Sequence, residues 1–109
     1  MTNNPTVCFL DIDCDVLKKH YVSNDQIAIQ LVASDTEKNK VSGACPGEPV
    51  CTATQCFMRE KFSESSTAIK DFYKNRGVFD VLKGAGLIEE TTHYVHEGCF
   101  YYPVVKVNF

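Results

Sequence analysis

The sequence predicts a single α+β domain over residues 1–109, built mainly on an antiparallel sheet of about five strands. Three observations support this prediction. Short apolar runs typical of strands lie towards both ends of the chain, and residues with helical spacing lie between them, at 64–85. A chain of 109 residues also has the size of one domain.

Three strands are predicted in the N-terminal half. The run 7–12 is apolar, and the polar stretch 15–21 is expected to form a helical turn or a hairpin connection. In 27–33, isoleucine and leucine occupy alternate positions, which is the pattern of a strand with one buried face. A polar loop is predicted at 34–47, and 50–58 is rich in Thr, Val and Cys, which favour a third strand.

One or two helices are predicted at 64–85. The Ser and Thr residues of 63–67 are possible N-caps for a helix in which Ile69, Phe72 and Tyr73 fall at helical spacing. A second, shorter apolar stripe runs over 78–85, and glycines at its end stop it.

The C-terminal residues predict a β-hairpin. Its strands are 87–95 and 99–109, joined by a turn at 96–98. Pro103 has no N–H to donate to a neighbouring strand, so it indicates an edge position or a bulge.

Charge and hydropathy disfavour two classes of partner. The net charge is −3, whereas a dedicated nucleic-acid binder usually carries a basic excess, so nucleic acid is not an expected partner. No apolar run approaches the roughly 20 residues of a membrane span. The N-terminus lacks the features of a signal peptide, which favours a small soluble domain in the cytoplasm or another intracellular compartment, with a mature secreted form as the alternative.

Six cysteines are many for a chain of this length. Because cysteine also behaves as a small apolar residue, buried free thiols are the leading interpretation, and no cofactor is then needed. Disulfides are an alternative for an extracellular chain, and zinc is another. Structural zinc sites favour closely spaced ligands, and a turn at 96–98 would bring a histidine and a cysteine together. The candidate zinc ligands are Cys45, Cys51, Cys56, His96 and Cys99.

Three alternating aspartates follow the first apolar run. Asp11, Asp13 and Asp15 would share one face of an extended chain. The segment Cys8-Phe9-Leu10-Asp11-Ile12-Asp13 resembles the first motif of haloacid-dehalogenase-type phosphatases, although Asp15 stands where that family has Thr or Val. The resemblance implies that Asp11 would be the nucleophile and Asp13 the general acid. The leading interpretation of the three aspartates is nevertheless a solvated turn with unpaired acids.

Aromatic side chains of the predicted hairpin are candidates for a partner-binding surface. Tyrosine is enriched at interfaces because it combines a large apolar ring with a polar tip. Alternation places Phe100 and Tyr102 on one face and Tyr101 on the other, so one face would be core and the other free for a partner. The candidate residues are Tyr94, Phe100, Tyr101 and Tyr102. The C-terminal strand could also pair edge to edge in a homodimer.

The sequence therefore predicts a non-enzymatic binding or regulatory protein that acts through a protein–protein surface. No group of residues meets the joint needs of nucleophile, base and oxyanion donor, which disfavours an enzyme. Two alternatives stay open: a zinc-binding protein, and a small hydrolase or isomerase that uses Asp11 and Asp13.

Overall fold

Seven strands form two antiparallel sheets in the computed structural model, which describes residues 4–109. The first sheet has the order β1-β2-β3-β4, with strands Thr6–Phe9, Ile12–His20, Ile27–Ala33 and Pro49–Thr52. The second has the order β5-β7-β6, with β5 at Ser66–Ala68, β6 at Ile88–Glu97 and β7 at Phe100–Val107. Helix α1 covers Glu37–Ser42, α2 covers Val78–Gly84, and a 3-10 turn covers Tyr73–Asn75.

The predicted α+β class is thus confirmed, with a single domain that is mostly sheet. The strands number seven rather than about five, and they divide between two sheets. Residues 1–3 lie outside the described residues. They include the start of the predicted domain and part of the N-terminus for which no signal peptide is predicted.

The predicted first strand is in fact a tight hairpin. Phe9 pairs with Ile12, so Leu10 and Asp11 alone form the loop, and both have positive φ, 53° and 62°. Positive φ at both central residues is the type I′ turn, whose twist matches that of paired strands. Strand β2 then runs through the stretch predicted as a turn at 15–21, so that prediction is wrong.

Helix α1 lies in the predicted loop 34–47. The Thr36 hydroxyl caps the helix by accepting from the Asn39 N–H, and Gly43 ends it with φ of 91°. The two caps define the ends of this six-residue helix, which has no apolar stripe.

The predicted helix through Ile69, Phe72 and Tyr73 is wrong. Residues Ser66–Ala68 form β5, which pairs with β7, and the Ile69 N–H donates to the Pro103 carbonyl. Only a 3-10 turn follows, whereas the second predicted helix is present as α2. The strand predicted at 50–58 is shorter than expected, since β4 ends at Thr52 and Thr54 forms an isolated bridge with Ile69.

Strands β6 and β7 form the predicted C-terminal hairpin. Glu97 pairs with Phe100 across a two-residue loop, where Gly98 has φ of 63°, a conformation that glycine adopts without strain. The register shifts between Glu90 and Tyr94, opposite Val105 and Pro103, so an irregularity lies beside the proline as predicted.

Apolar residues pack on both faces of the second sheet. The main core lies between the sheets and contains Val105 and Val107 of β7, together with residues of β2, β3 and α2. The second core contains Tyr102 and, around it, Val104. Its other members are Phe57, Ala68 and Val95, with Phe62, Phe72 and Phe100 at its margin. Strand β7 therefore contributes alternate side chains to two different cores.

Two buried amide side chains hold loops against the first sheet. Gln26 accepts from the Phe57 N–H and donates to the carbonyls of Phe57 and Glu60, at 2.8 to 3.0 Å. Asn39 accepts from the Asp13 N–H and donates to the carbonyls of Asp13 and Ser34. Each amide thus replaces backbone pairing where a loop or helix meets a strand.

Candidate functional site

Three aromatic side chains share one face of the β6–β7 hairpin. Tyr94 and His96 are two residues apart on β6, and His96 pairs with Tyr101 of β7. The rings of His96 and Tyr101 are stacked, with centroids 4.5 Å apart and planes 13° apart. Tyr94 is 58% exposed and Tyr101 is 65% exposed. We call Tyr94, His96 and Tyr101 the aromatic patch.

The patch continues a face that is buried elsewhere along the hairpin. Because side chains alternate along β7, Tyr101 lies on the same side of the strand as Val105 and Val107. The two valines are buried in the main core, whereas Tyr101 is exposed. The aromatic patch is therefore the part of this face that the main core leaves in solvent.

The other two aromatic residues predicted for the surface lie in the second core. Tyr102 is only 4% exposed, and its hydroxyl donates to the Gln55 side-chain oxygen at 3.1 Å. Loss of hydration by burial is the main reason that the pKa of Tyr102 is raised. The half-buried Phe100 stacks on Phe72 with centroids 4.1 Å apart.

The predicted group of four thus divides by strand alternation. Tyr94 and Tyr101 are exposed, while Phe100 and Tyr102 stabilise the fold. His96, a predicted zinc ligand, also belongs to the patch. The signal that could have found it is its spacing of two from Tyr94 on a predicted strand.

Strand β7 cannot supply the predicted edge-to-edge homodimer. It is the central strand of the second sheet, and Val105 already pairs with Thr67 on one side and Glu90 on the other. That prediction is wrong because the short strand β5, which the sequence predicts as part of a helix, pairs with the second edge of β7 at Val104 to Lys106. Self-association through another surface stays a prediction.

The five candidate zinc ligands are distributed over several elements. Cys45 lies in the loop between α1 and β4, Cys51 on β4, and Cys99 in the β6–β7 turn. The Cys56 thiol donates to the Asn24 side-chain oxygen at 3.5 Å. Within residues 4–109, no three His, Cys, Asp or Glu side chains are grouped so that they could hold a metal ion. The zinc site stays a prediction.

All six cysteines are free thiols, and two of them are poorly ionisable. Burial raises the pKa of Cys51 to about 11 and also raises that of the fully buried Cys14. Zinc binds the thiolate, so this environment disfavours metal binding at Cys51.

The candidate catalytic aspartates lie at the β1–β2 turn. The Asp11 side chain is 96% exposed, and its nearest charged partner is Lys38 Nζ at 3.6 Å. Asp13 accepts from the Thr36 hydroxyl at 3.0 Å and lies 3.4 Å from the same ammonium. Both carboxylates are thus close to one lysine that sequence reasoning had missed. Their use in catalysis stays a prediction.

No protein-family model, curated protein or solved structure matches this chain. Between residues 4 and 109, neither helix has the length and apolar character needed to cross a bilayer.

Proposed function

We propose that this protein is a non-enzymatic binding module that holds a protein partner on the aromatic patch of its C-terminal hairpin. The observation that carries the proposal is the exposure of two tyrosines beside a stacked histidine on one sheet face. Tyrosine side chains in the desolvated centre of an interface are frequent binding hot spots.

The hairpin gives the patch a fixed geometry before any partner arrives. The three side chains project from two hydrogen-bonded strands, and the stack on Tyr101 orients the His96 ring. A tyrosine on such a support loses little conformational freedom on binding, which lowers the entropic cost of association. The hydroxyls and the imidazole would supply polar contacts around the apolar rings.

The test is a variant that removes both rings and leaves the second core intact. Tyr94→Ser combined with Tyr101→Ser should fold normally, because both side chains are exposed. Immobilised wild-type and variant proteins are incubated with extract of the source cells, and the retained proteins are quantified by mass spectrometry. We expect a subset of proteins whose retention falls at least about tenfold in the variant.

The matched control is Val22→Ser, an apolar-to-serine change at a fully exposed turn position outside the hairpin. It should retain the wild-type set. Sedimentation velocity on the same three proteins shows whether the partner is a second copy, in which case only the double variant dissociates. Retention and sedimentation that are identical for wild type and double variant would refute the proposal.

A further inference from the structure

One cysteine lies directly beside an amine. Cys8 is exposed on the edge strand β1, and its sulfur is 3.5 Å from the Lys38 ammonium nitrogen. Among the described residues, which include all six cysteines, no other cysteine is hydrogen-bonded to a lysine. The sequence does not indicate this contact, because 30 positions separate Cys8 and Lys38.

The fold holds the two groups together through a buried contact. Cys8 is opposite Asp13 in the β1–β2 register. The fully buried Asn39, next to Lys38 on α1, bonds both the N–H and the carbonyl of Asp13. The helix is thereby fixed against the strand, and Lys38 extends over the strand pair towards Cys8.

A small open cavity adjoins the sulfur. It has a volume of about 370 Å³ and is lined by Thr6, Val7, Cys8, Asp13, Ser34 and Thr36. Space of this size beside an exposed thiol can admit a short acyl chain.

We infer that Cys8 and Lys38 form a modification site at which a short acyl group from an acyl thioester is captured by sulfur and passed to the lysine. In the first step, Cys8 Sγ attacks the thioester carbonyl carbon and a new carbon–sulfur bond forms. The bond to the donor sulfur breaks, and the donor leaves as a free thiol that carries the proton lost by Cys8.

The second step moves the acyl group from sulfur to nitrogen. The Lys38 ammonium first releases one proton to solvent, and the neutral Nζ then attacks the same carbonyl carbon, so that the carbon–nitrogen bond forms and the bond to Cys8 Sγ breaks. Cys8 recovers the second proton that the nitrogen loses, so the products are an amide on Lys38, a free thiol and one proton in solvent. No electron acceptor is needed. Proximity makes this transfer intramolecular, which raises the effective concentration of the amine.

The charges around Lys38 favour this order of events. The pKa of Lys38 is raised, first by its contact with Cys8 and then by Asp13. Acylation of the sulfur weakens the hydrogen bond that it accepts from Lys38, so the largest cause of the raised pKa of Lys38 is reduced once the thioester has formed. The resulting amide would also abolish the ion pairs of Lys38 with Asp11 and Asp13.

The test is site-resolved acetylation of the purified full chain by the acetyl thioester of N-acetylcysteamine at pH 8. Acetylation at each lysine is followed by mass spectrometry. The internal control is Lys83, which is comparably exposed, is paired with Glu90 and also has a raised pKa, but has no cysteine contact. We expect Lys38 to react at least about tenfold faster than Lys83.

Three variants separate the steps. Cys8→Ser should lower the Lys38 rate to that of Lys83, whereas Cys99→Ser, at another exposed cysteine, should leave it unchanged. Lys38→Arg should instead accumulate a hydroxylamine-sensitive thioester on Cys8. Equal rates at Lys38 and Lys83 in the wild type, or an unchanged Lys38 rate in Cys8→Ser, would overturn the inference.

Discussion

Individual polar residues decide how loops attach to the sheets. Gln26 and Asn39 each satisfy backbone groups that lie outside regular pairing, and no buried side-chain nitrogen or oxygen in the described chain lacks a partner. Such contacts join positions far apart in sequence: Gln26 reaches Phe57, 31 residues away. A glutamine at the end of a polar stretch gives no sign of this role, so sequence patterns could not identify it.

We expect Gln26→Leu to lower the free energy of unfolding by about 2 kcal/mol, because it leaves buried backbone groups of the 57–60 loop without partners. Urea unfolding followed by circular dichroism measures the change. Gln30→Leu is the matched control on β3, since no hydrogen bond of its side chain is found in the described chain, and it should change stability by less than about 0.5 kcal/mol. Equal effects of the two substitutions would contradict this role for Gln26.

At the scale of elements, local pattern predicted some strands and missed others. The alternation of apolar residues in β3 was sufficient to predict a strand with one buried face, and Ile27, Ile29 and Leu31 are all buried in the main core. Strand β2 carries the same signal in Ile12, Cys14 and Val16, provided that cysteine is counted as apolar.

The helix predicted through Ile69 is absent because strand pairing with β7 outweighs the local sequence preference. The spacing of the apolar residues near Ile69 is compatible with either a helix or a strand. Thr67 pairs with Val105, and its hydroxyl donates to the Ile27 carbonyl across the two sheets. The residues next to Thr67 in the sequence give no indication of these distant partners. The same reason applies to the site: alternation predicted that the hairpin aromatics divide by face, but only the packing decides which face is buried.

The β1–β2 turn holds Leu10 in the left-handed region, which a leucine rarely adopts. A non-glycine residue in the left-handed region costs about 1 kcal/mol, and type I′ turns favour Asn-Gly. We therefore expect Leu10→Asn combined with Asp11→Gly to raise the free energy of unfolding by about 1 kcal/mol.

Urea unfolding tests this expectation, with Asp11→Ala as the matched control. That change also removes the ion pair with Lys38, but an exposed ion pair contributes little to the free energy of unfolding. The alanine variant keeps a side chain at positive φ. If the alanine variant were as stable as the Asn-Gly variant, backbone strain would not be the cause.

At the scale of the whole molecule, the half-buried thiol of Cys51 couples stability to alkaline pH. Cys51 packs against the main core, and its pKa rises from 9.0 to about 11 in the folded protein. Well below pH 9 the thiol is neutral in both states. As the pH rises from 9 to 11, the unfolded chain ionises first, so folding stability falls, and the loss is complete once the folded thiol ionises.

We expect Cys51→Val to remove about 2 kcal/mol of the fall in unfolding free energy between pH 8 and pH 11. Urea unfolding at several pH values, wild type against variant, isolates this contribution, because Cys14 and Tyr21 are present in both proteins. Cys99→Ser, which removes an exposed thiol, should keep the wild-type pH profile. A Cys51→Val profile parallel to the wild type would show that Cys51 is not responsible.

The position of β7 between two cores bears on which sequence changes the chain tolerates. Tyr102 and Val104 pack in the second core, and Val105 and Val107 pack in the main core. Successive residues of β7 are therefore constrained by different neighbouring side chains. Most strands of a sheet with one solvated face can vary at every second residue. From Tyr102 to Val107 only Lys106 is exposed, and nearer the turn Tyr101 is exposed while Phe100 packs on Phe72. We therefore expect β7 to tolerate substitutions best at Tyr101 and Lys106, so the aromatic patch can change while both cores keep their packing.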